Sequence, residues 1–151
     1  MPAFRIHRVD IADAIVRAAI ESLDDEVFPG GLTRHRGYFG AWWIARAGRE
    51  VAAYAAVYKA GKTPNAGYLA RCGVLPRFRG HGLQKRLIRL RIRHAREQGW
   101  SALVTDTLND NYASANSLIA CGFRLYRPEI PWATHDCPLY WRLEMQCRNN
   151  R

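Results

Sequence analysis

The chain contains no apolar run that approaches the ~20 residues needed to span a bilayer, and no internal repeat, low-complexity tract or linker. Its first residues, MPAFRIHRVD, hold no apolar signal core, so the sequence reads as that of a soluble, cytoplasmic protein. Cysteine is sparse. Cys72, Cys121, Cys137 and Cys147 show no C-x-x-C spacing, and no histidine pair completes a zinc pattern. His135 and Cys137 alone offer two ligands, so reduced thiols and no metal are expected. Acidic residues are also few, 13 against 23 Lys and Arg, which leaves a net charge of +10. Such charge favours anionic partners, whether a phosphorylated cofactor, nucleic acid or a membrane surface. The same charge also arises where it serves solubility alone. Hydrophobic residues make up 48% of 151 positions, which excludes a disordered chain and suits one domain, 1–151, with one core.

Phe4 to Val9 alternates apolar and polar, the pattern of a half-buried strand. Asp10 then offers an N-cap with Asp13 in the first turn, and Ile11, Ala14, Ile15, Ala18 and Ala19 give the apolar face of a helix to about Leu23. From Asp24 to Gly40 no period is visible. Phe28, Tyr38 and Phe39 lie there among glycines 30, 31, 37 and 40, with Arg34, His35 and Arg36, which suggests a loop or broken helix with a binding role. Ala41–Arg46 and Val51–Lys59 read as a hairpin turning at Gly48, and residues 60–65 as a second loop.

The most organised stretch follows. Gly67–Val74 is a strand, and Arg77-Phe78-Arg79-Gly80-His81-Gly82 opens a helix whose apolar face is Leu83, Leu87, Ile88, Ile92 and Ala95, closed by Gly99. A glycine loop at a helix N-terminus presents backbone N–H groups at the positive end of the dipole, a phosphate site. Arg79 and Lys85 add charge there, while Arg86, Arg89, Arg91, Arg93 and Arg96 read mostly as a solvated face. Ala102–Thr107 is a strand, Asn111 caps a helix from about Tyr112 to Cys121, and Phe123–Tyr126 and Pro138–Glu144 are two last strands. There is no Gly-Lys-Ser/Thr P-loop, and Lys85 stands where the third glycine of G-x-G-x-x-G would fall.

The combination resembles the GNAT family of acetyl-CoA-dependent N-acetyltransferases. The likeness rests on Val74-Leu75-Pro76, Arg77-x-x-Gly80-x-Gly82, the helix to Gly99, Asn111 and Gly122-Phe123. It implies an α/β (mixed α+β) fold, a three-layer α/β/α sandwich with a mixed central sheet of six to seven strands and a splayed strand pair at the cofactor site. It implies that acetyl-CoA is the cosubstrate, with Cys72, Gly73 and Val74 along the pantetheine, Arg79, Gly80, His81, Gly82, Leu83, Gln84 and Lys85 around the pyrophosphate, and Asn111 and Ser114 also at the cofactor.

The implied reaction is direct attack of an amine on the thioester in a ternary complex. Many members carry an acid tyrosine where this chain has Leu118, so Ser114 and Cys121, on the same helical face, and Tyr126 are the candidate acids. Tyr68 stands where some members carry a catalytic glutamate, and as a phenol it would act only as a relay. Asp106 reads equally as a capped strand end, and His135 more readily as a surface histidine than as a base. The acceptor is a small-molecule, peptide or RNA-linked amine, with no membrane role. Trp132 and Trp141 are candidates for an exposed apolar contact, such as a homodimer would use. Two competing readings remain at this level: a basic nucleic-acid-binding module, and an acetyl-CoA-binding protein that has lost catalysis.

Overall fold

The structure, a computed structural model, describes residues 2–29 and 38–146. The elements run β1 (Phe4–Val9), α1 (Ala14–Val27), β2 (Ala41–Ala47), β3 (Glu50–Lys59), β4 (Ala66–Val74), a single 3-10 turn (Pro76–Phe78), α2 (Leu83–Gln98), β5 (Ala102–Thr107), α3 (Tyr112–Ala120), β6 (Arg124–Leu125) and β7 (Leu139–Glu144). The strands form one seven-stranded sheet in the order β1-β2-β3-β4-β5-β7-β6. It is mixed: β1, β2 and β3 pair antiparallel, β4 and β5 parallel, and β5, β7 and β6 antiparallel again. Among the described residues no helix is long and apolar enough to cross a membrane. The chain divides into two compact units, residues 1–57 with 70–87, and residues 58–69 with 88–151.

In the first unit the core is the hairpin. Residues 41–45 and 52–57 are buried on both faces, so these strands read as continuous apolar, alanine-rich runs rather than alternating ones. Gly48, at φ +59°, makes the turn. The helix α1 begins later than its sequence suggests. Asp13 is the N-cap, accepting from the Ile15 and Val16 amides at 2.8 and 3.2 Å, while Asp10 accepts from Ala12 in the turn before it. The buried face of α1 is Ile20, Leu23 and Asp24, and Ile15 is exposed. The helix continues to Val27, through part of the stretch in which no period was visible. Of the expected aromatic loop, Gly30, Gly31, Arg34, His35, Arg36 and Gly37 lie outside the described residues.

Asp24 explains why a carboxylate can sit on that buried face. The Tyr54 hydroxyl donates to it, and Arg71 Nη1 reaches both of its oxygens at 3.1 Å. Phe28, the C-cap of α1, carries the Arg71 guanidinium 4.3 Å over its ring. Burial, reinforced by the hydrogen bond to Asp24, pushes the Tyr54 phenol far above its ordinary value. Gly73 is required here by packing, because a Cβ would stand 2.6 Å from Tyr54 Cε1.

In the second unit β5 carries Leu103, Thr105 and Thr107 towards one face and Val104 and Asp106 towards the other. Trp141 of β7 donates to Thr107 Oγ1 at 3.0 Å and is buried, so it is no exposed contact. Gly67 lets the indole of Trp100 close on β4, since a Cβ would lie 2.4 Å from that ring. The last strand before the C-terminal hairpin partner is shorter than expected, Arg124–Leu125 only.

Candidate active site

The glycine loop belongs to the first unit. Gly80 and Gly82 adopt φ +81° and +76°, and no heavy atom lies within 4 Å of where a Cβ would stand on either. Glycine is therefore demanded here by backbone conformation, in open space, and not by a neighbouring side chain. The loop leads into the first turn of α2, where Gly82 O receives the Arg86 amide at 3.1 Å, the first bond of the helix. The N–H groups of the first turn have no partner within the helix by its geometry. Leu83 is a core residue, so only its backbone can serve a ligand, whereas Lys85 is exposed. His81 is held by its ring against Phe4, 5.8 Å between centroids. Arg79 Nε donates to the Val74 carbonyl at 3.1 Å, tying the loop arginine to the end of β4. Cys72 is half-buried and in no disulfide.

The paired register of β4 with β5 covers only Ala66, Tyr68 and the residue between them. The ladder is thus confined to the start of β4. Of the basic residues on α2, Arg86, Arg89, Arg93 and Arg96 are exposed, but Arg91 is buried and is not part of a solvated face.

The second unit holds a cluster centred on Asp106. Its Oδ1 accepts from the Tyr68 hydroxyl and from Trp132 Nε1, each at 2.7 Å, and its Oδ2 lies 2.8 Å from His135 Nε2. His135 is 31% exposed, so it is a paired residue of the site and not a plain surface histidine. Against a carboxylate the Nε2 carries the hydrogen, whatever the state of Nδ1. That Nδ1 is buried with no hydrogen-bond partner. Trp132, too, is no exposed contact: it packs edge-on against Tyr68 and Tyr140, at 6.1 and 4.7 Å. Tyr58 adds a further ring 5.5 Å from Tyr68, and burial, with the charge of Asp106, raises its phenol.

The candidate acids are placed less closely. Asn111 is the N-cap of α3, accepting the Ser114 amide at 3.2 Å. Ser114 and Cys121 are half-buried, at the first turn and at the C-cap. Leu118 between them is 4% exposed, a core side chain. The Tyr126 hydroxyl is buried without a hydrogen bond of normal geometry, beside Thr63 and Arg142, and burial raises its phenol. A raised phenol releases its proton less readily, which counts against Tyr126 as the acid. No group of three or more metal-ligating side chains occurs among the described residues.

Sequence reasoning undervalued Asp106, Trp132 and His135 and passed over Tyr58. The available signal was strand phase: Tyr68 pairs with Val104, and Asp106 is two residues on and so on the same face.

Residues 9–123 match the Acetyltransferase (GNAT) family, and the chain belongs to that family. It is 30% identical over 88 residues to N-acetyltransferase family 8 member 2 of Rattus norvegicus, a match that covers 56% of this chain and 39% of that protein. The chain thus spans well under half the length of that curated relative. In fold it resembles a GNAT-family acetyltransferase of Staphylococcus aureus, at TM-score 0.74 and 13% identity over 95% of this chain and 100% of the other. It also resembles a protein of Salmonella typhimurium solved with its cofactor acetyl-CoA, at TM-score 0.71 and 16% identity over 97% and 96% of the two chains.

Proposed function

We propose that this protein transfers an acetyl group from acetyl-CoA to a primary amine by direct attack in a ternary complex. The observation that carries the reading is the loop Arg77–Gly82, with both glycines at positive φ over open space and α2 starting immediately behind it. That cradle suits a pyrophosphate: backbone N–H groups and a helix dipole in front, and Arg79 and Lys85 for mobile charge. Acetyl-CoA supplies the acetyl group as a thioester; the remaining chemistry falls to the chain.

An alkyl amine is mostly protonated at pH 7 and must give up a proton before it can attack. Tyr68 and Asp106 are suited to receive it. One proton enters at Tyr68 Oη as the phenol passes its own to Asp106 Oδ1, along the 2.7 Å hydrogen bond already in place. Trp132 and His135 hold the carboxylate still by occupying its other acceptor positions. Ser114 and Cys121 are the groups proposed to return a proton to the departing sulfur.

The test is titration calorimetry with acetyl-CoA, followed by detection of free CoA across a panel of primary amines. Saturable binding and amine-dependent release support the reading. Binding without release from any amine leaves a cofactor-binding protein, and no binding overturns the reading.

A further inference from the structure

The second unit contains a cavity of about 150 Å³, lined chiefly by Tyr58, Gly61, Lys62, Tyr68, Val104 and Trp132. Three of its walls are aromatic rings in mutual contact. The polar atoms of two of them are committed elsewhere, since the Tyr68 hydroxyl and the Trp132 N–H both end on Asp106 Oδ1. What those walls give the cavity is therefore ring surface and the Tyr68 hydroxyl oxygen, whose proton is directed at the carboxylate behind it. Val104 is buried and contributes an apolar wall, while Gly61 and Lys62 are exposed and belong to the mouth.

We infer that this cavity is the acceptor subsite and that it takes a primary monoamine bearing one small apolar group, either a six-membered ring or a branched alkyl chain of similar bulk. The inference rests on the transferase reading above and names the substrate class for it. Size supports the ring: an apolar cavity of ~150 Å³ accommodates one benzene molecule. Chemistry supports the amine, because aromatic faces attract an ammonium group as well as apolar carbon, and Asp106 supplies the opposite charge. Lys62 at the mouth sets the limit, since a second positive charge on the acceptor would meet its ammonium. Polyamines are disfavoured for that reason, and very short alkylamines because they leave the rings uncovered.

The probes are benzylamine, ethylamine and spermidine. Each is titrated calorimetrically into the free protein, and kcat/KM for each is then measured with saturating acetyl-CoA. Benzylamine should lead both others by about tenfold or more, the discrimination an apolar pocket typically gives. Val104→Phe fills the cavity and should reverse the order of benzylamine and ethylamine. Should that core variant fail to fold, Lys62→Glu, at the surface, serves alone: it should raise spermidine relative to benzylamine by about tenfold. Equal affinities for the three amines, or ratios unmoved in the variants that fold, overturn the inference. Calorimetry with acetyl-CoA separates the two readings. Loss of cofactor binding with benzylamine binding intact defeats the transferase and leaves the monoamine pocket, whereas the reverse defeats the pocket alone.

Discussion

Trp132 reaches across 26 residues of sequence to set its indole N–H 2.7 Å from Asp106 Oδ1, the oxygen that Tyr68 also uses. The bond matters mainly for what it fixes. It holds a carboxylate at one position and turns an aromatic wall to one orientation. Asp106 is in this sense the hub of the second unit: a strand residue that anchors a late loop and a neighbouring strand together.

Asp106→Asn tests that hub. The amide keeps the shape but offers one acceptor oxygen in place of two, to three donors. Proton transfer through Tyr68 would then have no anion to receive it. The expected fall in kcat is ~10²–10⁴-fold, the usual worth of general acid–base catalysis, with acetyl-CoA affinity retained. Steady-state kinetics with calorimetry measure both. A kcat within threefold of the parent would remove Asp106 from the proton path.

The glycine loop is separable from it. Gly82→Asp should abolish acetyl-CoA binding by putting a carboxylate where the pyrophosphate charge belongs. Gly82 sits at φ +76°, so any side chain adds strain, on the order of 1–2 kcal/mol. Gly82→Ala carries that strain without the charge and should bind more weakly than the parent but measurably. Equal affinity in the aspartate variant, with circular dichroism unchanged, would defeat the phosphate assignment.

Much of this fold was legible in sequence where the signal is local. The helix α2 declares itself by a sustained three-and-four apolar period and a terminal glycine, and the hairpin by two apolar runs about Gly48. The start of α1 was not, because Asp10 and Asp13 are both able to cap; the backbone chose Asp13 and gave Asp10 the preceding turn. Its buried face was misphased because alanines mark a helix without marking a side, and the polar Asp24 hid the stripe formed by Ile20 and Leu23. The cluster at Asp106 was harder still. Its members come from β4, β5 and a loop: the β4–β5 pairing sets Tyr68 beside Asp106, and the path of the loop before β7 brings Trp132 and His135 to the same carboxylate. No window of sequence contains that information.

The acid for the departing sulfur can be tested without a tyrosine at position 118. Ser114→Ala and Cys121→Ala each remove one candidate from α3, and the one that acts should lower kcat by at least tenfold, with acetyl-CoA affinity little changed. Leu118→Tyr should not restore a conventional acid. Leu118 is a buried core side chain, so a phenol there overpacks the site and costs ~1–3 kcal/mol. A lower melting temperature without a gain in rate is expected. A rate gain at unchanged stability would show that the position is open after all.

The remaining prediction concerns stability against pH, through Tyr54 in the first unit. Its phenol is buried, donates to Asp24, and is held well above its ordinary value, with burial the leading cause. Unfolding returns it to water, where it titrates near ~10. Below that pH it is protonated in both states, and its contribution is fully present. Above it the unfolded chain loses the proton more readily than the folded one, so stability falls as pH rises. Tyr54→Phe removes the group that titrates, at the cost of one donor to Asp24, which keeps Arg71. The variant should therefore be less stable at pH 7, by ~1–3 kcal/mol for the lost buried hydrogen bond, yet lose less stability between pH 9 and pH 11. Tyr58 and Tyr126, whose phenols burial also raises, keep some of the fall with pH in the variant. Denaturant melts at a series of pH values measure both quantities. Parallel curves for parent and variant would show that Tyr54 ionises as easily in the folded protein as in water, and that the Asp24–Tyr54 contact does not hold its proton.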